Sequence, residues 1–180
     1  WKLESGDRFQ TPEAVMLYSD NGLNEMSQNF HKLYAKHLAR GYWRDRVRPI
    51  LNNNWEATYF DFTEERLVKI AEKAKECGIE LFVLDDGWFG KRRNDRAGLG
   101  DWIVNKELLP NGIEGLAERI ENLGMQFGLW IEPEMVNKDS DLYRQHPDWI
   151  VQTPGRTNSH GRNQYVLDFS RKRLLIIFIR

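Results

Sequence analysis

Leu81-Phe82-Val83-Leu84-Asp85-Asp86-Gly87-Trp88 decides how this chain is read. Four consecutive apolar residues, set off by the helix-stop pair Cys77-Gly78, predict a strand buried on both faces, as in parallel sheets. Two carboxylates, a glycine and an indole follow at once. In α/β folds, function gathers at the carboxyl ends of parallel strands, where the next loops present polar groups above a packed interior. Asp85 and Asp86 occupy that position.

On either side of this stretch the same unit recurs. Ile50-Leu51 opens a short strand that runs through Asn52, Asn53 and Asn54 to about Trp55. Thr63 is the expected N-cap of a helix, Glu64 and Glu65 suit its first turn, and Leu67, Ile70, Ala71 and Ala74 form an i, i+3, i+4, i+7 stripe that closes at Gly78. Beyond the central strand, a charged loop from Lys91 to Gly100 leads through Asp101-Trp102 and Pro110-Asn111-Gly112 to a second helix. That helix carries Ile113, Leu116, Ala117, Ile120 and Leu123 at helical spacing and stops at Gly124. Met125 to Ile131 is the third strand, leading into Glu132-Pro133-Glu134. The alternation predicts a parallel βαβαβ pattern, which fits the first part of a (β/α)8 barrel and, on pattern alone, an open doubly wound sheet.

The flanks are less regular. Residues 1–24 read as irregular or strand-rich with a turn at Asp20-Asn21-Gly22, and a helical pattern runs from Asn24 to Leu38. Tyr42 to Pro49 reads as a connector, which divides the chain into residues 1–45 and 46–180. After Glu134 the spacing predicts a short helix at Ser140–Gln145, a long loop from Gln152 to Asn163 and a minor strand at Tyr165–Asp168, with Ser170 capping a last helix.

With 180 residues, 41% of them hydrophobic, the chain has enough for one domain or part of a larger one. Trp1 in place of methionine, and the apolar run Leu174–Ile179 without a capping signal, favour the second. That run is too short to span a bilayer and reads as a helix face or strand. Lysines and arginines number 26 against 27 acidic residues, so nothing argues for a nucleic acid or membrane partner. The single Cys77 leans toward a reducing, cytoplasmic setting. Of seven tryptophans, five stand beside polar residues in expected loops: Trp55, Trp88, Trp102, Trp130 and Trp149. That placement is less typical of core filling.

All three strands end alike, in Trp55-Glu56, in Asp85-Asp86-Gly87-Trp88, and in Trp130 with Glu132 and Glu134. Parallel strands bring these ends to one face, and carboxylates that accept from hydroxyls beside flat aromatic faces describe a sugar site. Each residue also has a plainer use, the aspartates as loop caps and the tryptophans as packing. Oxygen-ligand metals are the rival use of Asp85, Asp86, Glu132 and Glu134. His31, His37, His146 and His160 show no zinc spacing, Gly98-Leu99-Gly100 reads as a flexible loop rather than a phosphate cradle, and no Gly-x-Ser-x-Gly elbow occurs. Arg92-Arg93 and Arg171-Lys172-Arg173 read as solvated charge.

Four segments carry a resemblance. Asn53-Asn54-Trp55-Glu56-Ala57-Thr58-Tyr59-Phe60-Asp61-Phe62, Leu84-Asp85-Asp86-Gly87-Trp88-Phe89-Gly90, Gly128-Leu129-Trp130-Ile131-Glu132-Pro133-Glu134-Met135-Val136 and His146-Pro147-Asp148-Trp149 together resemble the bacterial α-galactosidases of glycoside hydrolase family thirty-six, the melibiase type. The likeness reaches back to Thr11-Pro12-Glu13-Ala14 and runs to about Ser170. After Ser170 the family's Pro-Glu-Val type helix start is replaced by Arg171-Lys172-Arg173 and the apolar run.

The resemblance implies that residues 1–45 end an N-terminal β-sandwich and a linker helix. Residues 46–180 would then form about three strands of a (β/α)8 catalytic barrel. It implies substrate contacts at Trp55, Asp85, Asp86, Trp130 and Arg162, the last in Gly161-Arg162-Asn163-Gln164. The implied reaction is retaining hydrolysis of terminal α-D-galactosides of the melibiose and raffinose type. Two carboxylates about 5–5.5 Å apart would carry it, with no cofactor or metal. A homo-oligomeric parent is a separate expectation. The family nucleophile lies in a Lys-x-Asp motif absent from this chain, so no catalytic residue is assigned and Asp85 with Glu132 is not the expected pair. Alternatives are a non-catalytic fragment or weak galactose-binding module, a raffinose-type transglycosylase, and an α-N-acetylgalactosaminidase.

Overall fold

The computed structural model describes residues 2–158 and 160–174. The chain forms two compact units, Trp1–Arg48 and Pro49–Arg180. In the first, helix α1 (Gly22–Leu33) passes directly into a π-helical turn at Tyr34–Leu38. The preceding residues are irregular, and no strand occurs among the described residues of this unit. Phe30 and Tyr34 stack at 5.8 Å, yet no residue of α1 is buried.

The second unit is built on three parallel strands, β1 (Leu51–Asn53), β2 (Leu81–Leu84) and β3 (Gln126–Leu129), in the order β1-β2-β3. Their α/β alternation is the one the sequence predicts. A short helix, α2 (Trp55–Thr58), follows β1, and α3 (Glu64–Glu76) connects to β2. Thr63 caps α3, its hydroxyl oxygen accepting from the Arg66 amide at 3.3 Å. Helix α4 (Gly112–Asn122) connects β2 to β3. Both α3 and α4 stop at glycines in the left-handed region, Gly78 at φ +82° and Gly124 at φ +74°.

Burial along β2 alternates, which corrects the expectation of a strand buried on both faces. Phe82 and Leu84 are fully buried in one cluster with Leu67, Val68 and Ala71 of α3 and Leu116 and Ile120 of α4. Leu81 and Val83 are half-buried and share their face with Leu51 of β1 and Gly128 of β3, as the register requires. The apolar run does not distinguish the two faces, whereas the helices that pack on the sheet do.

A second cluster of core residues lies around a two-stranded antiparallel ribbon, β4 (Met135–Asn137) with β5 (Gln164–Val166). Between them stand α5 (Asp141–Gln145), capped by Ser140, and a 3-10 turn at Pro147–Trp149. Val136, Trp149, Ile150, Tyr165, Leu167 and Leu174 form its core. The short helix lies where the spacing predicts it, and the minor strand lies at Gln164–Val166 rather than at Tyr165–Asp168, while β4, three residues without an alternating pattern, leaves no sequence signal. The apolar run beyond Leu174 lies outside the described residues.

Trp88 and Trp149 are core residues, 5% and 7% exposed, against the expectation for loop tryptophans. The Trp88 indole donates to the Trp130 carbonyl at 3.0 Å, and Trp149 stacks on His146 at 3.7 Å. Polar sequence neighbours do not prevent burial when an indole can bury its rings and still place its N–H. Among the described residues, no helix is long and apolar enough to cross a membrane.

Candidate functional site

The carboxyl ends of β1 and β2 are tied together through asparagines. The Asn54 side chain, fully buried, accepts from the Asp85 amide at 2.8 Å and donates to Thr58 Oγ1 at 2.8 Å. The Asn53 amide donates to Asp85 Oδ2, while its own oxygen receives the Trp55 amide at 2.7 Å. Asp85 Oδ1 accepts from the Asp86 amide at 2.7 Å. Asp85 is thereby fixed but remains half-buried, whereas its neighbour is 3% exposed. Trp55 opens α2 and meets Tyr59 and Phe60 edge-on, at 5.2 and 5.0 Å.

Asp86 pairs with Arg92, and this corrects the reading of Arg92 as solvated charge. Arg92 is fully buried, and its Nε and Nη2 donate to the Asp86 carboxylate at 2.7–3.1 Å. Nη1 donates to the Ala97 carbonyl at 3.2 Å and to Asn137 Oδ1 at 2.9 Å. Burial of this charge is tolerable because a carboxylate and two further acceptors surround it. Gly98-Leu99-Gly100 is likewise buried, not a flexible surface loop. At Gly98, with φ +83°, an added Cβ would lie 2.9 Å from the Arg92 amide nitrogen, so only glycine lets the loop close over Arg92.

After β3, Trp130 is half-buried beside Trp102, with ring centroids 6.3 Å apart. Glu132 follows and accepts from Gln164 Nε2 of β5 at 3.3 Å. Its pKa is raised, first by burial and then by the charge of Glu134, while Arg162 and Arg92 pull it down. Arg162 is exposed, at φ +49° in a turn that Gln164 closes onto the Gly161 carbonyl at 2.8 Å.

Of the five residues expected to meet substrate, Asp85 and Asp86 adjoin at the end of β2. Trp55 is linked to Asp85 through Asn53, and Trp130 is linked to the β2 end through Trp88. Arg162 reaches the group by charge, through Glu132. Such a constellation offers carboxylate acceptors, a cation and half-buried indoles to a ligand rich in hydroxyls. Among the described residues, no group of three His, Cys, Asp or Glu side chains could hold a metal ion. Sequence reasoning gave no role to Asn53, Asn54, Arg92, Asn137 or Gln164. Asn52-Asn53-Asn54 at a strand end was a visible signal, since three amides in a row have nothing to pack. Arg92, between Lys91 and Arg93, had none.

Comparison with known proteins gives this geometry a family. The Melibiase family model matches residues 8–179. Over 172 residues the chain is 64% identical to α-galactosidase AgaA of Geobacillus stearothermophilus and 53% identical to α-galactosidase Mel36A of Lactobacillus acidophilus. Each match takes in 96% of this chain and 24% of the relative. A crystal structure of a substituted GH36 α-galactosidase AgaA in complex with stachyose superimposes with a TM-score of 0.93 at 62% identity, covering 98% of this chain and 25% of that one. The chain thus spans about a quarter of the length of the curated relatives it matches. A match that runs through nearly every residue, with the strand-end carboxylates inside it, means that the chain belongs to the Melibiase family of GH36 α-galactosidases.

Proposed function

We propose that the whole protein is an α-galactosidase that hydrolyses terminal, non-reducing α-D-galactosides of the melibiose and raffinose type with retention, and that this chain supplies its sugar-recognition part. The carrying observation is the Asp85-Asp86 pair at the end of β2, braced by Asn53 of β1 and by Asn54 just after it, and flanked by Trp130 after β3. The 64% identity to AgaA, and the stachyose complex of its variant, support the substrate class. On this reading β1, β2 and β3 begin a (β/α)8 barrel, and residues 1–45 belong with a preceding β-sandwich and linker helix. The half-buried face of Leu81 and Val83 would look into the barrel.

Asp85 offers its carboxylate to sugar hydroxyls. Asp86 keeps about one of its roughly four acceptor positions open after three contacts from Arg92. Trp55 and Trp130 wall the sugar, and Arg162 reaches it from the turn. The retaining mechanism needs two carboxylates about 5–5.5 Å apart, and the family's Lys-x-Asp nucleophile motif is not in this sequence. The chain alone is therefore inactive. The exposed, single Cys77 fits a reducing, cytoplasmic setting.

Hydrolysis of a nitrophenyl α-galactoside by the full-length protein tests the activity, and absence of turnover overturns it. Galactose titration followed by tryptophan fluorescence tests the site. Saturable quenching in the full-length protein should be lost in Asp85→Asn, which removes a ligand-facing charge without opening the Asp86–Arg92 pair.

A further inference from the structure

We infer that Asn137 is a positioning residue that holds the Arg162 turn in register with the Asp85-Asp86 end of β2. The inference rests on the sugar-site reading above. Asn137 is fully buried on β4, and its side chain uses all of its hydrogen-bonding capacity. Oδ1 accepts from Arg92 Nη1 and from the Leu99 amide, both at 2.9 Å. Nδ2 donates to the Asp95 carbonyl at 3.2 Å and to the Asn163 carbonyl at 2.9 Å.

One side chain therefore touches both halves of the site. Through Arg92 it reaches Asp86, and through the Asn163 carbonyl it reaches the residue next to Arg162. Arg162 and Asn163 are both left-handed, at φ +49° and +60°, in a turn that is exposed and has little packing of its own. Such a conformation in non-glycine residues persists where surrounding contacts determine it. The Asn137 amide supplies one of those contacts from the buried side. A fully satisfied buried network of this kind fixes relative positions more than it adds stability.

Asn137→Asp separates the two halves. The new carboxylate still accepts from Arg92 and Leu99, but it turns an oxygen toward the carbonyls of Asp95 and Asn163, so the turn loses its tether. In the full-length protein, KM for a nitrophenyl α-galactoside should rise roughly tenfold while kcat falls less than about threefold, as expected when ground-state and transition-state binding are lost together. Arg162→Ala should raise KM at least as much. Adding Asn137→Asp to Arg162→Ala should then change KM by less than about twofold, because the group being positioned is gone.

Ser140→Ala is the control. It removes the hydroxyl that donates to the Asn137 carbonyl at 2.9 Å and loosens the same strand end without touching Asn163. It should leave KM within about twofold of wild type, as a tether-independent loosening would. If Asn137→Asp does not accumulate, Asn137→Ser, neutral and too short to reach the Asn163 carbonyl, carries the same expectation. Losses that multiply in the double variant, an unchanged KM in Asn137→Asp, or an equal rise in Ser140→Ala would each overturn the inference while leaving the sugar site standing. An Arg162→Ala variant with wild-type KM removes the group to be positioned and overturns it too. Absence of turnover in the wild-type protein overturns the hydrolase reading, and this inference with it, whereas absence of galactose quenching overturns the sugar site itself.

Discussion

The parallel sheet and the β4–β5 ribbon sit in the same compact unit and are held together by different physics. The sheet is a periodic object, whose apolar stripes on α3 and α4 close over Phe82 and Leu84, with a capped start and glycine stops. The ribbon has strands of three residues and a smaller apolar core, and is anchored to the sheet side by the buried groups Asp86, Arg92 and Asn137, the last of which reaches the carbonyl of exposed Asn163. Apolar burial is non-directional and tolerates small shifts, whereas hydrogen bonds fix angle and distance. The sheet thus supplies the platform and the polar chain sets where the edge of the site lies upon it.

The largest way to break this comparison is Asp86→Asn. It leaves the Arg92 guanidinium buried without its counter-charge, at a cost of about 4 kcal/mol. Hydrogen exchange on the full-length protein should show faster exchange over residues 92–99 and in the ribbon, with the amides of α3 and α4 largely unaffected. Equal acceleration in both regions would mean that they form a single cooperative unit.

Leu116→Ala is the converse test. Deleting a fully buried leucine side chain between α4 and the sheet should cost about 3 kcal/mol. Exchange should then rise in α4 and β3 before it rises in the ribbon.

Caps sharpen the contrast at smaller scale. Thr63→Ala removes the cap of α3 and Ser140→Ala that of α5, each expected to cost about 1 kcal/mol. The five-residue α5 has little helix of its own, so its amides should lose nearly all protection, whereas α3 should fray only in its first turn.

Acid separates the two regions by sign. Burial opposes ionisation of Glu64, but hydrogen bonds from Asn111 and Arg119 more than offset it, so its pKa is lowered. Its stabilising contribution is present above the unfolded glutamate pKa and is lost as pH falls through the lower folded value. Glu132 at the site is raised, by burial first and Glu134 next, so it opposes folding above its folded pKa and that opposition is relieved on acidification. Carboxyl titration by NMR should find Glu64 below and Glu132 above the ordinary glutamate range, and the reverse order would contradict this charge arrangement.

How far each region could be read from sequence follows the same division. The helix limits around Thr63, Gly78 and Gly124 and the three parallel strands were legible, because periodicity, caps and glycine stops act over a few neighbouring residues. In the site, Asp85 and Asp86 were marked by standing directly after an apolar strand. Arg92 was misread and Asn137 was given no role, since their partners lie 6 and 45 residues from Arg92 and 26 residues from Asn137 along the chain. The burial of Trp88 and Trp149 is hidden in part for the same reason: Trp88 donates to the Trp130 carbonyl, and Trp149 shares its core with Val136 and Tyr165.

By itself the sequence determined the βαβαβ alternation, the strand-end address of the two aspartates, and the motifs that mark the family. These are local properties, written in the spacing of adjacent side chains. Only the tertiary structure decided which face of β2 is covered, that Asp86 is locked to a buried arginine while Asp85 stays open, and that one asparagine joins the strand end to the Arg162 turn. Burial and hydrogen-bond partnership depend on which distant segments meet, and no local pattern encodes that meeting.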